Sequence, residues 1–269
     1  MTGVRPKKAL GQHFLTDMSV ARRIAGTVDA CKGMPVLEVG PGTGVLTRFL
    51  LEAGHDLKVI EIDRESIDYL NTHFPELQGR ILAEDFLQAD LAALYGDTPF
   101  VITGNYPYCI SSQIFFKLLD YKNRVPVCTG MIQKEVAERI ASKAGHKAYG
   151  ILSVLLQTWY DIEYLFTVNE NVFNPPPKVK SAVVRLTRNS RQTLPCDEAL
   201  FKKVIKTAFN QRRKTLRNSL KPLLGKDAAV YKEPVFDRRP EQLDVEAFIA
   251  LTDLVTRQLA LQTASQTDA

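Results

Sequence analysis

The sequence predicts an α/β protein: a doubly wound, mostly parallel β-sheet followed by a small all-helical C-terminal region. Strand-like and helix-like segments alternate over the first two-thirds of the 269 residues, which is typical of βαβ units. From about residue 161 two strand-like runs follow each other, and beyond residue 195 the apolar residues recur with helical spacing. We therefore expect the sheet to be complete before the helical region begins.

Seven runs rich in Val, Ile and Leu are predicted as strands: 36–39, 57–62, 80–83, 100–102, 125–132, 161–168 and 181–187. Helical segments are predicted between them at 45–53, 64–73, 111–120 and 134–142. Residues 174–178 contain three consecutive prolines, which cannot join a strand ladder. We therefore expect the last two strands to form an antiparallel pair at the edge of the sheet.

Two domains are expected, residues 1–188 for the sheet and residues 189–269 for the helical region, with a polar linker at 189–195. The first helix of the second domain is indicated by i, i+3, i+4, i+7 spacing of Phe201, Val204, Ile205, Ala208 and Phe209. The last helix is expected to start at Asp244, a good N-cap, with Leu243 and Phe248 as a hydrophobic staple.

Basic residues are concentrated in two segments. Residues 1–16 contain three basic residues and residues 201–221 contain eight, and neither segment has an acidic residue, although the chain has 30 acidic and 35 basic residues. A charge run is often only a solvated face, but this clustering indicates a polyanionic partner such as nucleic acid. If the helix that starts near residue 201 continues unbroken, Lys202, Lys206, Arg213 and Arg217 share one face.

The composition excludes several protein classes. The four cysteines and four histidines are scattered without paired spacing, which argues against a disulfide framework and against a metal site. No apolar run is long enough to span a bilayer, and no apolar segment follows the basic N-terminus. We therefore expect a cytoplasmic protein with free thiols and no membrane or metal partner.

Glycines and acids at predicted strand ends indicate a nucleotide-containing cofactor. Residues 38–44, Glu-Val-Gly-Pro-Gly-Thr-Gly, lie between the first strand and the first helix, where glycines let a ligand approach the backbone. Glu61 ends the second strand, where a carboxylate can accept both ribose hydroxyls. Asp85 follows the third strand and is placed to accept an adenine amine. Each feature alone also fits a tight turn or a solvated loop acid, but together they predict one crevice.

The stretch Asn105-Tyr106-Pro107-Tyr108, called the tetrad below, follows the fourth predicted strand. The Asn105 amide oxygen and the Tyr106 carbonyl, whose direction is restricted by the following proline, both accept hydrogen bonds. Tyr108 offers a ring on which a base can stack. These groups suit the recognition of a planar amine such as N6 of adenine, although Asn and Pro also close many ordinary loops.

Eight segments together resemble one known family: residues 8–15, 38–44, 61–63, 105–108, 133–136, 147–150, 173–179 and 212–217. The chain resembles, over nearly its whole length, the small-subunit rRNA adenine N6,N6-dimethyltransferases of the KsgA (RsmA) type, which depend on S-adenosylmethionine. Two positions depart from the family pattern. His13 stands where the family usually has Asn, and Tyr106 stands where it usually has Leu.

The resemblance implies a Rossmann-like, seven-stranded S-adenosylmethionine-dependent methyltransferase sheet and a helical RNA-binding C-terminal domain. It implies an enzyme, a 16S rRNA adenine-N6,N6-dimethyltransferase of ribosome biogenesis. Its substrate would be two adjacent adenosines in the 3′-terminal hairpin loop of small-subunit rRNA, in the assembling 30S particle. The implied cofactor is S-adenosyl-L-methionine, and we expect a monomer.

Carried onto matching positions, the resemblance assigns two groups of site residues. The cofactor would be bound by His13, Leu15, Gly40, Gly42, Glu61, Asp85 and Asn105. The target base would be held by the catalytic tetrad Asn105, Tyr106, Pro107 and Tyr108, with Phe173 on the other face of the base. From the clustering of basic residues we expect the rRNA backbone to be bound by Lys202, Lys206, Arg212, Arg213 and Arg217.

Other functions remain open at this stage. A large-subunit rRNA adenine methylase would share the tetrad and the fold, although residues 147–150 and 212–217 favour the small-subunit class. A mainly non-catalytic ribosome-assembly factor would be expected to have lost part of the cofactor site, yet Gly40, Glu61, Asp85 and Asn105 are all present. A nicotinamide-dependent dehydrogenase fits the glycines but neither the tetrad nor the basic segment.

Overall fold

The computed structural model describes residues 3–267, with side chains described as far as residue 264. Contacts divide the chain into two compact units. The first unit comprises the residues up to 138 together with 160–189, and the second comprises 139–159 together with the residues from 190 onward. The segment 139–159, which the sequence analysis includes in the first domain, is therefore grouped with the C-terminal helices. No helix of the described residues is both long and apolar enough to cross a bilayer.

The first unit is built on a seven-stranded mixed sheet. Its strands are β2 (Val36–Val39), β3 (Leu57–Glu61), β4 (Ile81–Ala83), β5 (Val101–Thr103), β6 (Val127–Gln133), β7 (Tyr160–Val168) and β9 (Ser181–Arg188). The order across the sheet is β4-β3-β2-β5-β6-β9-β7. β2 to β6 are parallel, and β9 runs antiparallel to both β6 and β7. The predicted antiparallel pair is confirmed, and β7 forms the edge while β9 lies one position inside it.

Helices follow the parallel strands, as doubly wound sheets require. In the first unit α1 (Met18–Ala25) precedes the sheet, and α2 (Val45–Glu52), α3 (Arg64–His73), α4 (Leu91–Tyr95) and α5 (Ser111–Asp120) follow its parallel strands in turn. The boundary between the two units lies within α6 (Lys134–Ala141). All four residues of β2 are buried, as expected for a central strand covered on both faces. The carboxyl ends of β2, β3, β4 and β5 therefore meet at one edge of the sheet.

A second, two-stranded sheet pairs the N-terminal segment with the loop that precedes β9. β1 (Phe14–Leu15) runs antiparallel to β8 (Phe173–Asn174), and Leu15 is the register partner of Phe173. Both of these side chains are buried and belong to the hydrophobic cluster that also contains Ile24 and Leu46. The N-terminal segment is thus packed as part of the first unit.

The second unit is entirely helical. It contains α7 (Ile151–Trp159), α8 (Glu198–Asn210), α9 (Leu216–Ser219), α10 (Lys221–Leu224) and α11 (Val245–Thr267). α7, α8 and α11 pack against one another, with the Phe209 and Phe248 rings stacked at 5.9 Å between centroids. The predicted N-cap is confirmed, because Asp244 Oδ1 accepts a hydrogen bond from the Ala247 N–H at 2.9 Å.

Candidate active site

The glycine loop between β2 and α2 needs glycine for two physical reasons. Gly40, Gly42 and Gly44 have φ values of +68°, +56° and +76°, a region that other residues enter only at a cost. A Cβ atom on Gly42 would also lie only 2.9 Å from the Phe14 ring, whereas one on Gly40 would make an ordinary contact with Pro107 at 3.7 Å. The loop therefore approaches both the N-terminal segment and the tetrad closely.

A cavity of about 220 Å³ opens at the carboxyl ends of the parallel strands. We call it the donor cavity, after the methyl donor that the family resemblance implies. Nine of the residues that the resemblance assigns to the site line it: His13, Gly40, Gly42, Glu61, Asp85, Asn105, Tyr106, Pro107 and Tyr108. Leu15 instead lines a smaller adjoining cavity of about 30 Å³, together with Gly40 and Asn105. The predicted crevice thus exists, and it collects groups from four strand ends.

Glu61 connects the second strand end to the glycine loop. Its Oε1 accepts hydrogen bonds from the Ile62 and Asp63 N–H groups, both at 2.9 Å, and its Oε2 accepts one from the Gly42 N–H at 3.1 Å. Burial raises the pKa of this carboxyl, and the three backbone donors partly oppose that rise. A carboxylate offers about four acceptor positions, so one on Oε2 remains for a ligand hydroxyl.

Asp85 lies in the turn after β4 and is only partly buried. Its Oδ1 accepts a hydrogen bond from the Leu87 N–H at 2.9 Å, which fixes the carboxylate at the cavity wall. The other oxygen, Oδ2, is available as an acceptor. This arrangement is compatible with an amine ligand, as the sequence analysis expected from the strand end.

Asn105 and Tyr106, which both line the cavity, each have an acceptor group that is left without a donor among the described residues. Asn105 Nδ2 donates to the His13 carbonyl at 3.1 Å, so the amide is oriented with Oδ1 as its remaining acceptor. The Tyr106 N–H donates to the Met131 carbonyl of β6 at 3.0 Å. Within residues 3–267, neither Asn105 Oδ1 nor the Tyr106 carbonyl receives a hydrogen bond. Two adjacent acceptors can together receive hydrogen bonds from a ligand that brings N–H groups.

The Tyr108 ring is held in place at both ends. Its hydroxyl forms a hydrogen bond with the hydroxyl of the buried Ser181 at the start of β9. Its ring centroid lies 5.4 Å from that of His13, with the planes tilted by 34°. Because the ring lines the donor cavity in this fixed position, it is suited to stacking on a planar ligand.

His13 is positioned by its own ring as well as by its backbone. Nδ1 lies 2.8 Å from the Pro175 carbonyl, which can only accept, so Nδ1 carries a hydrogen. The His13 carbonyl in turn receives the Asn105 amide. The residue that departs from the family pattern therefore still orients the first residue of the tetrad.

The structure adds residues that the sequence analysis did not assign to the site. Ile62, directly after Glu61, lines the donor cavity although its side chain is 54% exposed. Gln12 also lines it and donates to Asp63 Oδ2 at 3.2 Å, and Lys7 forms an ion pair with the same carboxylate. Both residues belong to segments that carry the family resemblance, Gln12 to residues 8–15 and Ile62 to residues 61–63, but neither is assigned a site role from the sequence.

Glu38, which directly precedes Val39 and the glycine loop, is another residue that the sequence analysis does not assign to the site. It is 1% exposed, accepts a hydrogen bond from Thr47 Oγ1 at 2.6 Å, and lines the smaller cavity beside Gly40 and Asn105. Burial raises the pKa of this carboxyl to about 8. The acid before the glycines therefore keeps its proton to a higher pH than an exposed glutamate does.

Phe173 is not brought to the cavity. The sequence analysis places its ring against the target base, but the side chain is 4% exposed and packs in the hydrophobic core of the first unit. It does not line the donor cavity. The strand pairing of β1 with β8 buries the ring, a long-range contact that the local sequence does not indicate.

The basic residues predicted to bind rRNA lie in the second unit, but the expected common face is interrupted. α8 ends at Asn210 and α9 starts only at Leu216, where the N–H bonds to the Arg238 carbonyl at 2.8 Å. Lys202 and Lys206 therefore lie on α8, whereas Arg213 lies in the intervening turn and Arg217 on α9. The condition for a common face, an unbroken helix, is therefore not met, because α8 ends before Arg213 and Arg217.

Some of these cations already have partners. Arg217 Nη2 lies 2.7 Å from Asp237 Oδ1, Lys202 lies 3.0 Å from Glu198 Oε1, and Arg212 donates to the Lys147 carbonyl. Arg213 is exposed and has no hydrogen-bond or ion-pair partner in the described part of the chain. The five residues are therefore not equivalent in their availability to a polyanion.

Comparison with known proteins places these features in one family. The family model described as "Ribosomal RNA adenine dimethylase" matches residues 3–245. A protein named "Ribosomal RNA small subunit methyltransferase A" from Parabacteroides distasonis is 66% identical over 259 residues, which cover 96% of this chain and 97% of that protein. A protein of the same name from Bacteroides thetaiotaomicron is 62% identical over 97% of this chain and 98% of its own length.

Solved structures show the same fold. A dimethyladenosine transferase from Plasmodium falciparum is similar with a TM-score of 0.75 and 25% identity, over 91% of this chain and 98% of that one. The 23S rRNA methyltransferase ErmE is similar with a TM-score of 0.65 and 26% identity, over 89% and 99%. The matching family model covers most of the chain, and the relatives match almost end to end. The chain belongs to the ribosomal RNA adenine dimethylase family.

Proposed function

We propose that this protein transfers methyl groups to N6 of two adjacent adenosines in the 3′-terminal hairpin loop of small-subunit rRNA, two to each adenosine. The relatives with 66% and 62% identity carry small-subunit names, which supports that substrate over the large subunit. The observation that carries the proposal is the pair of unbonded acceptors, Asn105 Oδ1 and the Tyr106 carbonyl, at the wall of the donor cavity. An adenine amino group supplies the two N–H donors that this pair lacks.

The residues around the cavity fit S-adenosylmethionine as the methyl donor. The Gly40–Gly42 backbone leaves room for close approach, Glu61 Oε2 retains an acceptor for a ribose hydroxyl, and Asp85 Oδ2 retains one for an amine. Ile62 offers an exposed apolar surface to a purine ring. When bound, S-adenosylmethionine supplies a methyl group that is already activated on a positively charged sulfur.

The tetrad then acts on the nucleophile. The N6 lone pair of adenine is delocalised into the ring and is a poor nucleophile in that form. In the first transfer, hydrogen bonds from N6 to Asn105 Oδ1 and to the Tyr106 carbonyl favour a more tetrahedral nitrogen, whose lone pair is localised. In the second transfer N6 retains one N–H, so one of these two bonds remains. These bonds are stronger in the transition state than in the planar ground state, so they accelerate the transfer rather than only bind substrate. The proton of the methylated nitrogen is acidic enough to leave to water.

Positioning supplies the remainder of the proposed catalysis. Tyr108, fixed by Ser181 and beside His13, is placed to stack on the extruded base and hold it in line with the donor. Extruding a base costs a few kcal/mol and costs least in a loop. The cations of residues 201–221 are proposed to bind the rRNA backbone, with affinity that falls as salt rises. We further propose a cytoplasmic monomer that works on the assembling 30S particle.

The experiment that tests this function uses labelled S-adenosylmethionine with small and large ribosomal subunits that lack the modification. We expect label only in small subunits, recovered as N6,N6-dimethyladenosine at two adjacent positions of the 3′-terminal hairpin loop. Label in the large subunit instead would support the alternative suggested by the similarity to the 23S enzyme. Binding to small subunits with no label transferred would support a non-catalytic assembly factor.

A further inference from the structure

The side chain of Tyr106 is buried against the sheet although the residue is one of those that line the donor cavity. The residue is 1% exposed, and its hydroxyl donates to the Thr129 carbonyl at 2.8 Å and lies 3.3 Å from Cys128 Sγ. Both partners belong to β6. Burial raises the pKa of the phenol well above its usual range, so the hydroxyl remains a neutral donor. The Tyr106 side chain is therefore hydrogen-bonded to β6, the strand that lies beside β5 in the sheet.

Two glycines make room for this ring. A Cβ atom on Gly130 would lie 2.5 Å from Tyr106 Cε2 and 2.7 Å from Cζ, distances that real Cβ atoms do not adopt. A Cβ atom on Gly104 would lie 3.0 Å from Cε1 on the other edge of the ring and 2.5 Å from the Val39 carbonyl. The ring thus occupies a slot that only glycine at both positions leaves open, and close packing leaves it little freedom to turn.

The backbone of Tyr106 is fixed by the same strand. Its N–H donates to the Met131 carbonyl at 3.0 Å, and Pro107 restricts its ψ angle. Because ring, hydroxyl and N–H are all held, the carbonyl of Tyr106 has one direction, and it is the group proposed to accept a hydrogen bond from N6. A displacement of about 1 Å at a reacting group can lower a rate by about 100-fold, so this direction matters.

We propose that the Tyr106 side chain is a positioning residue: through its hydroxyl bond to Thr129 and its slot between Gly104 and Gly130, it aims its own carbonyl at the target amine. The inference rests on the proposed function and adds to it a role for a side chain that does not touch the substrate. It also gives a physical role to the departure of this chain from the family pattern at position 106.

The chain offers a matched control for the hydroxyl. Tyr160 is also 1% exposed, lies in the same sheet, and donates its hydroxyl to the Val125 carbonyl at 3.0 Å, but it does not line the donor cavity. Tyr106→Phe and Tyr160→Phe each remove one buried hydroxyl from one backbone carbonyl. We expect the two variants to show a similar fall in melting temperature, since the same type of hydrogen bond is lost.

The two variants should differ in catalysis. For Tyr106→Phe we expect the single-turnover rate of methyl transfer to small subunits to fall about tenfold, while the donor Kd and the KM for small subunits stay within about twofold. For Tyr160→Phe we expect all three quantities to match the unaltered protein. Tyr106→Leu, which also empties the slot between the glycines, should lose more rate than Tyr106→Phe, again without a change in donor Kd.

Three results would overturn the inference. The first is an equal rate for Tyr106→Phe and Tyr160→Phe at a temperature where both are folded. The second is a loss confined to donor binding, because the side chain would then support the cavity rather than aim the carbonyl. The third is a Tyr106→Leu variant as active as the unaltered protein. If the unaltered protein transfers no methyl group to small subunits, the proposed function fails, and this inference fails with it.

Discussion

The donor cavity and the basic segment 201–221 differ in how their functional groups are held. Around the cavity, groups such as Glu61 and Asn105 follow directly from strand ends, and backbone hydrogen bonds fix each of them. In the basic segment the cations are long side chains at a helix end and a turn, and several are paired with neighbours such as Asp237. A site built from strand ends is thus determined locally, whereas a charged surface depends on where helices stop and which carboxylates lie nearby.

The largest expected loss of methyl-transfer rate concerns Asn105. Asn105→Ala removes one of the two acceptors while leaving the surrounding backbone intact, and we expect the methyl-transfer rate to fall by about 100-fold or more. The measurement is single-turnover transfer to small subunits, with rRNA binding measured in parallel. Binding should be retained, because the proposed rRNA contacts lie elsewhere.

Asn71→Ala, an exposed asparagine on α3, is the control for the loss of an amide and should behave as the unaltered protein. A parallel loss of binding and rate in Asn105→Ala would break the comparison, since the tetrad would then be part of the general RNA-binding surface.

The glycine loop gives the next largest effect. Gly42→Ala adds strain of about 1–2 kcal/mol at φ +56°. It also drives a Cβ atom against the Phe14 ring and disturbs the Gly42 bond to Glu61. We expect the donor Kd, measured by calorimetry, to rise about tenfold or more, which corresponds to about 1.4 kcal/mol.

Gly79→Ala isolates the strain from the contact. Gly79 has φ +70° but no atom within 4 Å of the position of an added Cβ. It should lose comparable stability and bind the donor normally. Weakened donor binding in both variants would show that general destabilisation, rather than the shape of the loop, controls the cavity.

Glu38 tests how burial at a strand end couples to pH. Because the folded state raises its pKa to about 8, the folded protein binds this proton more tightly than the unfolded chain does. Its contribution therefore favours folding at low pH and is lost as pH rises from about 4.5 to about 8, at no more than about 1.4 kcal/mol per pH unit. In Glu38→Gln this part of the pH dependence should disappear.

Urea unfolding at pH 5, 6.5 and 8 measures the free energy of unfolding for both proteins. The glutamine variant should gain stability relative to the unaltered protein as pH rises. An unchanged difference between the two across this range would mean that Glu38 titrates as an ordinary exposed acid. The carboxyl before the glycines would then not be part of the buried frame of the cavity.

The smallest effects, on rRNA affinity, are expected for single cations of the basic segment. They should be larger for a cation without an ion-pair partner than for one that is already paired. Arg213→Ala should lower rRNA affinity a few-fold and reduce the salt dependence of binding by about one ion, because the exposed guanidinium has no partner among the described residues. Arg217→Ala should change both less, since that guanidinium already pairs with Asp237. Binding titrations at several salt concentrations measure both quantities, and the reverse order would show that the Arg217 ion pair opens on binding.

Much of the first unit was predictable from the sequence because the deciding contacts are local. The order of strands and helices, the glycine loop and the strand-end positions of Glu61, Asp85 and Asn105 follow from periodicity and from the parallel sheet. The cap at Asp244 was equally local and is confirmed. The contacts that join these groups into one cavity, such as the Asn105 bond to the His13 carbonyl, connect residues far apart in the sequence. Local sequence patterns do not indicate such contacts.

The misplaced elements have the same physical cause. The start of α9 at Leu216 is held by a hydrogen bond to the Arg238 carbonyl, and the burial of Phe173 accompanies the pairing of β8 with β1. The grouping of residues 139–159 with the C-terminal helices reflects the largely buried α7, which packs on α8 and α11. Local propensity cannot decide such partners, because tertiary packing overrides it.

The late position of β9 in the sequence determines when, during synthesis of the chain, the enzyme can become active. Ser181, the first residue of that strand, holds the Tyr108 hydroxyl, and the strand itself fills the gap between β6 and β7. Translation proceeds from the N-terminus, so the tetrad leaves the ribosome long before the strand that completes its surroundings. A nascent or prematurely released chain that lacks β9 is therefore expected to be inert. Only polypeptide chains that are synthesised through at least residue 188 are expected to transfer methyl groups.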